Sequence, residues 1–359
     1  MKLNKNGFPK ILIIIDALNL GGAEQITVQT ANLLSQKNYD VLLCTILTWK
    51  DTPLAAKIHS SVKKASINRT NKWSLHRMRI LSKYIKQYDV VHVHSYHNFR
   101  YVQLVNVLFG VFKNIIYHEH SGDAIKNRLP NFLKRIIFHN VIYLANNTKL
   151  LNHIRRDWEL LLDKTVYLPN PVRTPIITIN KPKIAFTIGM IGNFLTVKNY
   201  EFAIKLFNNL NLKNSQLLIV GHIYDRQYFD RIQKLVNESK LPIRLITDCN
   251  NSYDVIPEFD FAWHTSYSES GPLVLGEYMA FEKPFICFET GEVANTVKNS
   301  LPELVMDNYD EPSWVKACNT IIEDLEGYGK KLHYLYLNYY TEDKYLNKCI
   351  EAYQKSLSY

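Results

Sequence analysis

Apolar residues along this chain come in short unbroken runs, each followed by a stretch whose apolar positions recur at helical spacing. Residues 11–15 form the first run and read as a buried strand; 24–34 follow, with Ile26, Ala31, Leu33 and Leu34 placed to face a core from one helix. Residues 41–47, 90–93, 115–117 and 141–145 repeat the strand pattern. Strand–helix alternation of this kind predicts a parallel sheet covered by helices on both faces. The stretch LPNPVRTPIITINKPK, residues 168–183, interrupts the rhythm with Pro169, Pro171, Pro175 and Pro182 and reads as a linker. The alternation then restarts: strands at 186–191, 217–220, 243–246, 259–264 and 285–288, helices near 201–210, 228–238 and from Leu273, and a helical, Tyr-rich stretch over 314–359.

The expected architecture is α/β: two Rossmann-like, doubly wound parallel-sheet domains facing a central cleft, into which the carboxyl ends of both sets of strands open. The expected boundaries are a first domain over 1–173, a linker over 174–183, a second domain over 184–335 and a C-terminal helix over 336–359.

Charge changes this picture in one respect. The net formal charge of +10 is unevenly placed: residues 1–173 hold 25 Lys/Arg against 10 Asp/Glu, and the remainder 18 against 23. A basic first half suggests an anionic partner such as a membrane surface, a lipid phosphate or nucleic acid; a solvated face with no partner is the plain alternative. No nucleic-acid recognition motif accompanies the charge, so a nucleic-acid role is not expected. The five cysteines are far apart with no C-x-x-C, which points to a reducing compartment and buried thiols. The run at 11–15 is too short for a signal-peptide core and no run approaches 18 residues, so a cytoplasmic chain without a membrane span is expected.

Four stretches can carry chemistry. In DALNLGGAEQ, Gly21 and Gly22 lie between a strand and a helix, where close backbone approach and free helical N–H groups suit a phosphate; a plain turn is the alternative, and G-x-G-x-x-G is absent. In IGMIGNFLTVKN, Lys198 follows a strand end and could serve a diphosphate as a point charge, or be an ordinary surface lysine. In ESGPLVLGE, Glu269 and Glu277 stand eight apart around a Gly-Pro turn and a helix start, so that the amides of Leu273 and Val274 would meet an anion beside Glu269. Glu303 and Glu311 share that spacing without a strand, turn and helix around them, and read as coincidence. Finally, His92, His94, His97, His118 and His120 cluster at two strand ends. No H-E-x-x-H or Cys/His spacing supports zinc, so no metal site is expected; one histidine would donate to a substrate oxygen and the others would be structural, and chemistry alone does not choose which.

Taken in order, these residues resemble the family 4 glycosyltransferases of the GT-B fold, which are retaining and nucleotide-sugar dependent. GGAEQITVQTANLL, DVVHVHS, IIYHEHSGD, VYLPNPV, LLIVGHIYDRQYFDRIQKLV and SYSESGPLVLGEYMAFEKPFI each resemble a family segment, the last its E-x7-E signature, over nearly the whole chain. The resemblance implies that Gly21 and Gly22 approach the donor diphosphate, that Lys198 neutralises it, and that the Leu273 and Val274 amides cap it. It implies that His120 is the active-site histidine, that Glu269 holds hydroxyls of the donor sugar, and that Glu277 binds the ribose. Asn193, Gly221, Ser270, Gly271 and Pro272 join the substrate-binding set by position. The last helix is implied to cross back to the first domain. Two departures stand out: Asn193 occupies a position where the family commonly has arginine, and Ser270-Gly271 replaces Gly-Phe.

The function implied is transfer of a sugar from a nucleotide diphosphate sugar, UDP- rather than GDP-linked, to a hydroxyl acceptor with retention. It would proceed without a metal or other cofactor, since no Asp-x-Asp motif is present. The acceptor implied is a cell-surface polysaccharide or a lipid-linked glycan, with the enzyme peripheral on the inner face of the membrane. The alternatives are a nucleotide-sugar 2-epimerase and an inactive nucleotide-sugar-binding scaffold subunit.

Overall fold

The computed structural model describes residues 7–19, 21–120, 140–157, 162–175, 185–249 and 251–358. The chain divides into two compact units: 1–171 together with 342–359, and 172–341.

The first unit is built on a seven-stranded, wholly parallel sheet: β1 (Lys10–Ile15), β2 (Asp40–Thr45), β3 (Lys63–Ser66), β4 (Val90–His94), β5 (Ile115–Glu119), β6 (Val141–Ala145) and β7 (Thr165–Tyr167), in the order β3-β2-β1-β4-β5-β6-β7. The central strands are buried along almost their full length, as expected where helices cover both faces. Helices α1 (Gly22–Gln36), α2 (Leu75–Gln87), α3 (Tyr96–Leu108) and α4 (Thr148–Asp157) fall between strands. Ser74 starts α2 by accepting a hydrogen bond from the Arg77 amide, a standard N-cap.

The second unit repeats the plan with six parallel strands: β8 (Phe186–Ile191), β9 (Ser215–Val220), β10 (Ile243–Ile246), β11 (Phe261–His264), β12 (Phe285–Phe288) and β13 (Val305–Met306), in the order β10-β9-β8-β11-β12-β13. Its helices are α5 (Tyr200–Asn209), α6 (Arg226–Glu238), α7 (Leu273–Ala280), α8 (Gly291–Ser300), α9 (Glu311–Ile322) and α10 (Leu325–Tyr339). Asp225, Asp310 and Asp324 cap α6, α9 and α10 through their carboxylates. The final helix, α11 (Glu342–Ser358), belongs to the first unit, where the Thr30 hydroxyl shares a 2.6 Å hydrogen bond with the Tyr345 hydroxyl and Asn114 donates to the Ser356 carbonyl at 2.6 Å.

The boundaries lie slightly away from those expected. Val172 and Arg173 belong with the second unit, because the Val172 amide donates to the Tyr340 carbonyl and Val172 forms a parallel bridge with Thr341. The chain returns to the first unit at Glu342, so 336–341 stay with the second. Of the expected linker, only Thr174 and Pro175 lie among the described residues. Three edge strands, β3, β7 and β13, lack the apolar run that marks the others: β3 is Lys-Lys-Ala-Ser, with Lys63 paired to Asp40 at 2.6 Å. A charged edge strand needs no second buried face and discourages further pairing. No helix among the described residues is long and apolar enough to cross a membrane.

In both sheets the strand order reverses beside the first strand, between β1 and β4 and between β8 and β11. In open parallel sheets the carboxyl end of that reversal is where a ligand can sit, because the two flanking loops diverge to opposite faces.

Candidate functional site

In the second unit, the reversal brings Lys198 and Glu269 together. Lys198 ends a short 3-10 turn, Thr196–Lys198, after β8; Glu269 lies on the loop between β11 and α7. Though 71 residues apart in sequence, the Lys198 Nζ donates to Glu269 Oε1 at 2.5 Å, with both side chains largely buried. The turn is tied to the end of β11: the Thr265 hydroxyl donates to the Lys198 carbonyl at 2.9 Å and the Tyr267 amide to the Val197 carbonyl at 2.9 Å. Asn199 closes the turn at φ 54, ψ 48, the left-handed conformation that asparagine tolerates well.

Beneath this pair, His264 is buried with Nε2 3.7 Å from Glu269 Oε1. Burial alone would raise the Glu269 pKa; the His264 imidazole 3.7 Å away and the Lys198 ammonium outweigh it and hold the carboxyl at about 2. Glu269 is therefore a fixed carboxylate, an acceptor for hydroxyl groups rather than a proton donor. Burial keeps His264 itself below the usual imidazole range against the opposing pull of Glu269.

The loop holding Glu269 is clamped from the far side. The Glu269 amide donates to Thr290 Oγ1 at 2.8 Å, and the Glu292 amide to the Ser270 carbonyl at 2.9 Å. Gly291, between them, has φ +79; a Cβ there would lie 2.8 Å from the Pro272 ring and 3.2 Å from the Glu269 Cβ. Only glycine fits that backbone against this loop. Thr290, Gly291 and His264 escaped the sequence reading; a glycine after the β12 run and a polar residue closing the β11 run were the available signals.

The remaining predicted residues of this unit distribute around the pair. Gly192 and Gly221 end β8 and β9 back to back: a Cβ on Gly221 would overlap the Gly192 carbonyl at 1.8 Å, so Gly221 is required by strand packing. The Lys198 stem crosses Gly192, whose carbonyl accepts from the Tyr200 hydroxyl at 2.5 Å. Asn193, partly buried, follows at once. Pro272 precedes α7, which begins without a side-chain cap, so the Leu273 and Val274 amides stand where helical N–H groups have no intrahelical partner. Glu277 lies in the second turn of α7, partly buried; burial raises its pKa, while Ser252 and Arg173 draw it down. Glu311, of the look-alike pair, meets Lys205 at 2.7 Å at the start of α9 and has no part in this region.

In the first unit, Gly21 and Gly22 open α1, Gly21 as N-cap in extended backbone. A Cβ on Gly22 meets nothing within 4 Å, whereas one on Gly21 would strike the Glu24 carboxylate. That carboxylate occupies part of the predicted anion position; burial raises its pKa and Asp16 pushes the same way. His97, also in the predicted histidine group, pairs instead with Asp16 at 3.3 Å.

His120 follows β5 and its Nε2 shares a 2.9 Å hydrogen bond with His94 Nδ1. Burial holds its imidazole at about 4, neutral at physiological pH. Its amide donates to the buried Glu119 carboxylate, which also accepts from the Tyr117 hydroxyl. Ser95, between β4 and α3, has φ 72 and ψ 144, held by its amide's bond to the His118 carbonyl at 3.1 Å. A non-glycine backbone of this kind costs on the order of 1–3 kcal/mol and marks sites that function shapes.

Two family descriptions match the chain: Glycosyltransferase Family 4 over residues 20–174, and Glycosyl transferases group 1 over residues 176–335. A search of curated proteins gives no match. Among solved structures, the chain is similar to a glycosyltransferase from Rickettsia africae ESF-5, with TM-score 0.80 at 15% identity over 97% of this chain and 98% of that one. It is similar to Anabaena Alr3699/HepE in complex with UDP-glucose, with TM-score 0.75 at 13% identity over 97% and 100%. The lipopolysaccharide outer core galactosyltransferase WaaB follows at 0.71 and 17%, over 96% and 99%. At such identities the likeness carries the fold.

Proposed function

The chain belongs to the family 4 glycosyltransferases and has their GT-B fold, and from that premise we propose that its second unit binds the donor through the Lys198–Glu269 pair. It is a nucleotide-sugar glycosyltransferase; the reading proposed is transfer to a hydroxyl acceptor with retention, from a UDP-linked donor. The 2.5 Å contact between an ammonium and a permanently ionised carboxylate is the observation that supports it. Without donor the two charges neutralise each other. With donor, the ammonium turns to the diphosphate, where negative charge grows as the sugar leaves, and the carboxylate accepts hydrogen bonds from sugar hydroxyls. The α7 amides of Leu273 and Val274 add fixed partial positive charge to the same leaving group, with Ser270, Gly271 and Pro272 shaping the turn before them. Glu277 takes the ribose, and Gly192–Asn193 with Gly221 line the strand ends beneath. Within the first unit, taken by itself, Gly21 and Gly22 are proposed to serve a phosphate and His120, neutral, to donate to a sugar oxygen. No metal step is invoked, because Lys198 and the helix start supply the charge.

The acceptor proposed is a surface polysaccharide or lipid-linked glycan at an anionic membrane. Residues 52–88 hold nine Lys/Arg and no Asp/Glu, and within them Trp73 and Leu75 stand 65% and 67% exposed. A Trp/Leu tip amid Lys and Arg suits an interface, at about 1 kcal/mol per basic residue near an anionic surface. Co-sedimentation with vesicles of 30% phosphatidylglycerol checks this: salt-sensitive binding lost in Trp73→Ala/Leu75→Ala supports it, and no binding at low salt counts against it.

A thermal-shift panel of UDP-, GDP-, ADP- and dTDP-sugars tests the donor reading, since a ligand of the native state alone raises the melting point. The expected result is a rise with a UDP-sugar that Lys198→Met abolishes. A chain indifferent to every nucleotide sugar refutes it; isomerisation of donor without acceptor favours an epimerase, and binding without turnover a scaffold.

A further inference from the structure

We propose that His92, His94 and His118 form a structural site for one divalent transition-metal ion, Zn2+ being the expected occupant, inside the first unit. This is independent of the sugar-transfer reading and supplies no step to it. The three residues lie on two adjacent parallel strands, with His94 directly beside His118 in register and His92 two residues earlier, hence on the same face. Each offers one ring nitrogen such that all three nitrogens fall within 4.8 Å of one another. All three side chains are fully buried.

Their hydrogen bonding is incomplete in a regular way. His92 Nδ1 is engaged by the Tyr353 hydroxyl of α11 at 2.8 Å, and His94 Nδ1 by His120 Nε2 at 2.9 Å. Nε2 of each, and both nitrogens of His118, have no hydrogen-bond partner among the described residues. A buried polar atom without a partner costs roughly 1–3 kcal/mol, so an occupant from outside the chain is the economical account. In His92 and His94, one nitrogen held by the protein and the other left open is the pattern of a metal-binding histidine, whose second nitrogen is fixed by an outer partner; His118 has both nitrogens open. A set of imidazoles suits Zn2+, Cu2+ or Ni2+ and disfavours Mg2+ and Ca2+.

The site would close by a small movement. With Zn–N of about 2.0–2.1 Å, tetrahedral ligands sit roughly 3.4 Å apart, so the rings must pivot by on the order of 1 Å. They lie stacked, His92 on His94 at 4.4 Å between centroids. The ion would pin β4 to β5 below His120. With His94 Nε2 on the metal, His94 Nδ1 carries the proton and donates to His120 Nε2, which leaves the His120 proton on Nδ1.

The experiment uses the full chain, purified through a cleavable tag without histidines. Elemental analysis is expected to find about one equivalent of zinc per chain. After chelation, Zn2+ or Co2+ restores the melting point, and Co2+ gives a visible d–d band. Tyr353→Phe, which keeps the ring, weakens metal affinity by roughly 10–100-fold, and His118→Gln removes binding. His59→Gln and His76→Gln, both exposed, change nothing. Folded wild-type chain that takes up neither Zn2+ nor Co2+ overturns the proposal and leaves a buried water as the occupant. Uptake that survives Tyr353→Phe at full affinity overturns it too, whether or not His118→Gln folds.

Discussion

Glu269 carries the most informative perturbation. Its carboxyl is held at about 2 against an ordinary 4.5, despite burial that acts the other way. At about 1.4 kcal/mol per pKa unit, the net of burial against His264 and Lys198 favours the charged form by about 3 kcal/mol over the neutral one. The sign follows from the direction: a depressed carboxyl contributes stability that is present above pH 4.5 and is lost as pH falls through about 2. Lys198, at 2.5 Å, is one of the two groups behind it, and its effect is discounted for the fifth of each side chain that solvent reaches. Lys198→Met, Glu269→Gln and the double variant form a cycle, followed by urea unfolding at pH 7. The expected coupling is about 1–2 kcal/mol, shrinking as pH is lowered from 4.5 toward 2. Binding separates a working pair from a merely structural one. Lys198→Met is expected to weaken the donor's sugar-free nucleoside diphosphate by about 10–100-fold, the scale of a charged hydrogen bond. Glu269→Gln is expected to leave that ligand unchanged or tighter, because it releases the ammonium, while weakening the complete nucleotide sugar. A Glu269→Gln variant that loses the nucleoside diphosphate as severely as Lys198→Met refutes the exchange of partners, and a coupling within about 0.3 kcal/mol of zero refutes the pair.

Gly291→Ala is expected to cost about 1–3 kcal/mol in urea unfolding, from the positive φ and the 2.8 Å approach to Pro272, and to reduce donor affinity by shifting the Glu269 loop. Gly22→Ala should leave the melting point equal or slightly raised, since nothing lies within 4 Å of the new methyl, yet lower kcat/KM; full activity would mean that no ligand approaches that backbone. His120→Gln is expected to lower kcat by about 100-fold with donor affinity kept, on the scale of lost proton or hydrogen-bond donation in the transition state; a change in KM alone would assign it to binding.

Much of this organisation was legible in the chain itself. The apolar runs at 11–15, 90–93, 186–191 and 217–220 are strands because a centrally placed parallel strand must be apolar on both faces, a demand each segment meets alone. The same holds for the strand, Gly-Pro turn and helix around Glu269, whose signals lie within a dozen residues. Other features belong to the tertiary structure. The edge strands β3, β7 and β13 exist through pairing with a neighbour, so their sequences carry no periodic mark. His264 under Glu269, Gly291 behind it and Lys198 across it come from three separate places, the end of β11, the start of α8 and the turn after β8. The histidines of two strand ends, grouped in the sequence without a geometry, become one set of ring contacts only when β4 and β5 align in register. Periodicity reports what each segment buries, which is a local property; which loops meet at a sheet's reversal depends on strand order, and that is settled only when the whole sheet packs.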